Sequence, residues 1–420
     1  MQQSLLTERT HLFCPCIKVA VLVDIEGPVD LAMLDAAIGQ AVAANEIVCS
    51  TIGLNLDGKA CYRPTGKPLY SLSLSAEPWE VLVASAHRRP SNLEEGPLLE
   101  CFAQQLDAAW QLVLIAHHLA GDGLSMAFLM QDIMRSLAGE PVVFKPLTLL
   151  CPSTIGDSRS LNPVMRFVLE RQNSSWRKTG KAFTYSDYNR MVQAYWKNRR
   201  IFIAHRRMEG ESFAKLLQFA KKGNITLNSV LCTAMFKVKG GKVKLGLAVS
   251  VRPEGEQAMG NFASGISVQY RYNSSKDLAL NAQAVQKRIR RKTQSNDARL
   301  FLLRFLQAID PTLIDAAYFA AYDGYDHPIA RRMQAMFGYQ GSPAQVGISN
   351  LLRLPIQEIY GDYRLARFCF IPPLVPNNAC ILGVASLGSA MELSLVGQGQ
   401  GTQALLDRIE QELEKLGTED

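Results

Sequence analysis

Histidine is scarce in this chain, at 6 of 420 residues, and apolar runs of membrane-spanning length are missing. A bilayer span needs about 18–20 consecutive apolar residues, so no transmembrane segment is expected. The N-terminal stretch Met1-Gln-Gln-Ser-Leu-Leu-Thr-Glu-Arg-Thr-His11 lacks a basic flank followed by an apolar core. No signal peptide is therefore expected, and the expected location is the cytoplasm. Disulfide spacing is missing too. The 9 cysteines, Cys14, Cys16, Cys49, Cys61, Cys101, Cys151, Cys232, Cys369 and Cys380, are odd in number and lie mostly in apolar segments. There cysteine behaves as a small hydrophobe, as in a reduced compartment. Cys14-Pro-Cys16 has no second Cys/His pair at ligand spacing, so no metal is expected. The chain holds no Gly-x-Ser-x-Gly elbow, no Gly-x-Gly-x-x-Gly and no Walker loop, which argues against a serine hydrolase and against nucleotide binding.

What remains is a well-buried α/β chain. Hydrophobic residues make up 48% and charged residues 20%, which describes a folded protein with a large core. A chain of 420 residues exceeds one ordinary core, so two lobes are expected, residues 1–170 and 171–420. The net charge is +7, gathered at Arg199-Arg200, Arg206-Arg207, Lys221-Lys222, Lys237 to Lys244 and Lys287 to Lys292. Few aromatics interleave these clusters and no nucleic-acid-binding motif is present, so nucleic acid is not an expected partner. Solvated helix faces, a phosphorylated co-substrate or an acidic partner fit the clusters better.

Along the chain, Ile17 to Asp24 reads as a strand and Leu31 to Ala44 as a helix capped by Asp30. A hairpin over residues 47–63 and a helix at Trp79 to Arg88 follow. Two strands come next, Leu98 to Leu106 and Trp110 to Ala116, the second apolar enough to be buried on both faces. Met126, Leu129, Met130, Ile133, Met134 and Leu137 keep helical spacing until Gly139. The second half alternates again. Strands are expected at residues 200–205, 244–251, 266–272, 345–351, 365–371, 380–387 and 391–396. Helices are expected at 211–222, 227–236 and 402–416, with one long basic helical region at 277–309.

The chemistry-bearing stretch is Leu112-Val-Leu-Ile-Ala-His117-His118-Leu-Ala-Gly-Asp122-Gly123. Two histidines stand together at the exit of a buried strand, where α/β proteins place reactive loops. Imidazole is the side chain that exchanges protons near neutral pH. Asp122 stands close enough in sequence to fix a tautomer or to hold the loop through a buried ion pair. Gly123 removes a side chain where a substrate must approach closely.

His117-His118-Leu-Ala-Gly-Asp122-Gly123 resembles the His-His-x-x-x-Asp-Gly signature of the CoA-dependent acyltransferase superfamily. Condensation domains of nonribosomal peptide synthetases, polyketide-associated acyltransferases and chloramphenicol acetyltransferase belong to it. Weaker landmarks follow in compatible order: Gly96-Pro97-Leu98-Leu99, Gly223 to Asn228, Arg252 before Gly260-Asn261-Phe262, and Ser349-Asn350. The Asp-Phe-Gly-Trp-Gly sequence of the plant branch is missing, and the length suits a stand-alone condensation-like or polyketide-associated enzyme.

The resemblance implies two chloramphenicol-acetyltransferase-like lobes with a tunnel between them and the histidine loop at its centre. It implies His118 as general base, with His117, Asp122, Gly123 and Arg252 in support, Asp122 anchoring the loop through Arg252. Ser349, Asn350 or the Gly123 N–H are the candidates to stabilise an oxyanion. The implied reaction moves an acyl group from a CoA or acyl-carrier thioester to a small alcohol or amine. Acyl-CoA or a phosphopantetheinyl carrier is then a co-substrate, with no permanently bound cofactor, and a monomer is expected. The alternative is a non-catalytic member of the fold that serves as a carrier-docking or binding module.

Overall fold

In a computed structural model of the protein, residues 3–156, 158–339 and 345–416 are described. Its frame is a pair of six-stranded sheets. In the first, the strands run in the order Ile359–Tyr360, Tyr363–Ile371, Lys18–Glu26, Ala109–His117, Leu99–Gln105 and Ser71–Leu74. Lys18–Glu26 and Ala109–His117 lie at its centre, which explains why they are apolar almost throughout: both faces are covered. Their antiparallel register sets Lys18 opposite His117, so the chain leaves the sheet immediately before His118. The His118 N–H donates to the Ile17 carbonyl at 3.0 Å and ties the loop to the neighbouring strand.

The helix Gly123–Leu137 starts on Asp122, whose side chain accepts from the Ser125 N–H. Its apolar residues beyond Leu124 are buried, and it packs on the helix Leu31–Ala43. The second sheet has the order Ala263–Arg271, Lys242–Ser250, Gln345–Arg353, Asn378–Leu387, Ala390–Gly397 and Phe202–Glu209. Helices Leu227–Lys239, Leu278–Thr293 and Thr402–Lys415 help bury a separate core behind it.

The lobes do not follow the halves of the chain. The expected boundary at 170/171 falls inside the helix Pro163–Arg177. Well beyond it, Tyr363–Ile371 returns to pair antiparallel with Lys18–Glu26 in the first sheet. Strand propensity in Leu365 to Ile371 is legible, but the choice of partner depends on long-range packing that periodicity does not encode. The basic region 277–309 is two helices, Leu278–Thr293 and Asn296–Gln307, because the Ser295 hydroxyl caps a new start by accepting from the Ala298 N–H at 3.2 Å. Two helices not expected from the sequence, Pro311–Tyr322 and Pro328–Phe337, both begin with proline at a first-turn position. Asp310-Pro311 and His327-Pro328 were the available start signals.

The helix Pro311–Tyr322 fixes the N-terminal segment beside the histidine loop. Arg9 Nε donates to Asp315 Oδ1 at 2.9 Å, and both side chains are 1% exposed. The Tyr318 hydroxyl donates to the Thr10 carbonyl at 2.8 Å. Removing one member of a buried ion pair strands the other charge at a cost of about 3–5 kcal/mol, whereas replacing both by apolar groups is far better tolerated. Arg9→Met should therefore lower the unfolding free energy by about 3–5 kcal/mol, and Arg9→Met/Asp315→Leu should regain most of that. Denaturant unfolding of the three proteins checks this; a double variant no better than the single one contradicts it.

Candidate active site

A cavity of about 650 Å³ lies between the sheets and is lined from both. The first sheet and its loop contribute His118 and Gly123, and the second contributes Ser264 and Ser349. Its position follows from the fold: the histidine loop leaves a central strand of one sheet and faces the strands of the other.

His118 is half-buried in the cavity wall. Its Nδ1 is buried without a hydrogen-bond partner, so Nε2 is the nitrogen presented to the cavity. Burial pushes its pKa down, and the nearby Asp122 carboxylate and a backbone contact only partly oppose that. The ring is therefore neutral at pH 7, the form that accepts a proton.

His117 points elsewhere. It is 3% exposed, its Nδ1 accepts from the Leu119 N–H at 3.2 Å, and its Nε2 has no partner. Burial lowers its pKa well below the ordinary value, with Lys18 and His118 adding to the effect. It does not line the cavity.

Asp122 is saturated. Its Oδ1 accepts from the Ser125 N–H at 2.9 Å and from Arg252 Nη2 at 3.0 Å, with Ser125 Oγ at 2.9 Å; Oδ2 accepts from the Phe262 N–H at 2.9 Å. The Arg252 guanidinium also donates to the Ala258 carbonyl at 2.7 Å and lies 4.2 Å from the Phe262 ring centroid. Asp122 and Arg252 thus meet, and they join the histidine loop to the second lobe. No hydrogen bond links Asp122 to the His118 ring among the described residues.

Gly123 lines the cavity, and packing within the protein also requires a glycine there. A Cβ there would stand 2.7 Å from both Leu351 Cδ2 and Phe370 Cε2. The protein's own side chains occupy that space. Ser349 and Asn350 both line the cavity. Asn350 is engaged, donating to Asn228 Oδ1 at 3.1 Å and accepting from the Leu352 N–H at 2.7 Å.

His11 was not singled out by sequence, yet it lines the cavity and stacks on His118 with ring centroids 4.5 Å apart. Its Nδ1 lies 3.0 Å from Asn261 Nδ2. Burial pushes its pKa well down, and the two other imidazoles reinforce this. No motif marks it; only its scarcity as one of 6 histidines offered a signal.

No family model matches the chain, and no curated protein matches it in sequence. Solved structures do match along its whole length. Polyketide synthase associated protein 5 from Mycobacterium tuberculosis is 13% identical with a TM-score of 0.66, over 99% of this chain and 98% of that one. The trichothecene 15-O-acetyltransferase of Fusarium sporotrichioides is 10% identical with a TM-score of 0.67, over 99% and 95%. The first condensation domain of the CDA synthetase is 14% identical with a TM-score of 0.65, over 100% and 97%. The chain has their two-lobed α/β fold, in agreement with the resemblance carried by the His-His-x-x-x-Asp-Gly motif. No helix among the described residues is long and apolar enough to cross a membrane.

The neutral imidazoles have a measurable consequence. Burial is the first cause of the lowered pKa of His11, His117 and His118, and it pushes His87 down to about 3. In the unfolded chain each returns to its ordinary value near 6.5 and binds a proton that the native state refuses, so each destabilises the fold as pH falls below about 6.5. His87→Leu should flatten the pH dependence of unfolding free energy between pH 6.5 and 5, by about one proton near pH 5. Parallel denaturant titrations check this; identical slopes would contradict it.

Proposed function

From this two-lobed, acyltransferase-like fold, we propose that the protein moves an acyl group from a CoA or carrier-bound thioester to a hydroxyl or amine acceptor, with His118 as general base. The observation that carries the reading is the neutral His118 ring in the wall of a cavity shared by both lobes, its Nε2 free.

In the proposed step, His118 Nε2 takes the proton from the acceptor as its oxygen or nitrogen attacks the thioester carbonyl carbon. Negative charge gathers on the former carbonyl oxygen. A hydrogen bond from the Ser349 hydroxyl, the Asn350 amide or the Gly123 N–H would stabilise it, and Ser349 is favoured over Asn350 because Asn350 is already held by Asn228 and Leu352. The carbon–sulfur bond then breaks and His118 returns its proton to the thiolate. Ester or amide and free thiol are the products, with no acyl-enzyme. The Asp122–Arg252 pair acts through position, holding the loop that carries His118. His11 supports the base by stacking on it.

A panel of acyl-CoA and carrier-bound thioesters, mixed with alcohols and amines, tests this through thiol release. His118→Ala should slow release by roughly 10²–10⁴-fold. Because burial lowers the His118 pKa, the acid limb of kcat/KM should fall below pH 6.5, with the rate rising as pH increases through it and level above. Equal release by wild type and His118→Ala would overturn the role of His118. No release from any donor, with stoichiometric carrier binding, would support a docking module instead.

A further inference from the structure

Among the described residues, the cavity wall holds a cation without a counter-ion. Arg299, on the helix Asn296–Gln307, lines the same cavity as His118. Its Nη2 donates to a neutral group, Asn296 Oδ1, at 3.2 Å, and its Nε is buried with no hydrogen-bond partner among the described residues. No carboxylate among the described residues pairs with it. Two other arginines show the contrast. Arg252 is matched by Asp122 at 3.0 Å. Arg304, further along the same helix, donates to Asp297 Oδ1 and to the Ile155 carbonyl, each at 2.8 Å.

A guanidinium stays charged at any physiological pH and offers five donors in a planar fork. Leaving a buried donor of such a group unmade is costly, and a bidentate anionic oxygen group is the partner its geometry fits. The Arg299 carbonyl accepts from the Ser264 hydroxyl at 2.6 Å, which ties this turn of the helix to the strand across the cavity wall. Thr293, beside it in the cavity wall, ends a helix whose last turn carries Arg290, Arg291 and Lys292. Three further cations thus stand on the helix that reaches this part of the cavity wall.

We propose that Arg299 is the binding site for an anionic oxygen group, a phosphate or carboxylate, carried by a substrate whose reactive atom reaches His118. This rests on the acyl-transfer reading for the identity of that substrate, and two sources share the chemistry. The anion is either a phosphate of the thioester donor or a carboxylate of the acyl group or acceptor.

The test uses the full chain, Arg299→Gln and the charge-keeping Arg299→Lys. Binding of CoA and of pantetheine, which lacks the phosphates, is measured by calorimetry. KM is measured with acyl-CoA and acyl-pantetheine donors, against acceptors with and without a carboxylate. Arg299→Gln should weaken the anionic ligand by roughly 10–100-fold, leave its uncharged counterpart unchanged, and be partly rescued in Arg299→Lys. A loss confined to CoA and acyl-CoA assigns the anion to the donor phosphates. A loss confined to carboxylate-bearing acyl groups or acceptors assigns it there. Equal Kd and KM values for wild type and Arg299→Gln across all of these, or no binding of any, overturns the site. His118-dependent release that ignores Arg299 would remove this site and leave the acyl-transfer reading standing. Arg299-dependent CoA binding without release would do the reverse.

Discussion

Everything about the site hangs on one carboxylate. Asp122 caps the helix Gly123–Leu137, and across the lobe interface it binds Arg252 and the Phe262 N–H. These partners are themselves buried or nearly so, with the side chains of Arg252 and Asp122 only 6% and 9% exposed. A pair this enclosed gains little net stability over an apolar replacement, but losing one member leaves the other without water or counter-ion. The interaction is better understood as a constraint. It permits one arrangement of the histidine loop against the second lobe, and the cavity is the space that arrangement leaves.

The same enclosure sets the proton chemistry. Burial holds His11, His117 and His118 neutral, and the proximity of the rings makes a charge on His11 costlier still. A cluster of this kind presents an unprotonated nitrogen across the neutral range, at the expense of acid stability. His118 differs from His117 in access rather than in chemistry: its ring faces the cavity, whereas the His117 ring is turned into the protein.

Much of this was legible in the sequence. The apolar runs that became central strands, the Asp30 cap, and the helix after the histidine loop appear where the sequence placed them. The meeting of Asp122 with Arg252, residues separated by 130 positions, was implied by the family resemblance and is present. What was not legible depends on contacts between distant segments. The return of Tyr363–Ile371 to the first sheet, the stacking of His11 on His118 and the solitary charge of Arg299 follow from which surfaces meet. Gly123 shows the difference on a single residue. Its need for a missing side chain was readable, whereas the identity of the neighbours, Leu351 and Phe370, was not.

The central claim is that Asp122 anchors the loop while His118 carries the proton. The unfolding free energy of Asp122→Asn, measured beside that of His118→Ala, tests it most directly. The amide keeps the shape and loses the charge that Arg252 needs, so Asp122→Asn should be destabilised by about 2–4 kcal/mol, with His118→Ala much closer to wild type. An Asp122→Asn protein as stable as wild type would contradict the anchoring role of Asp122.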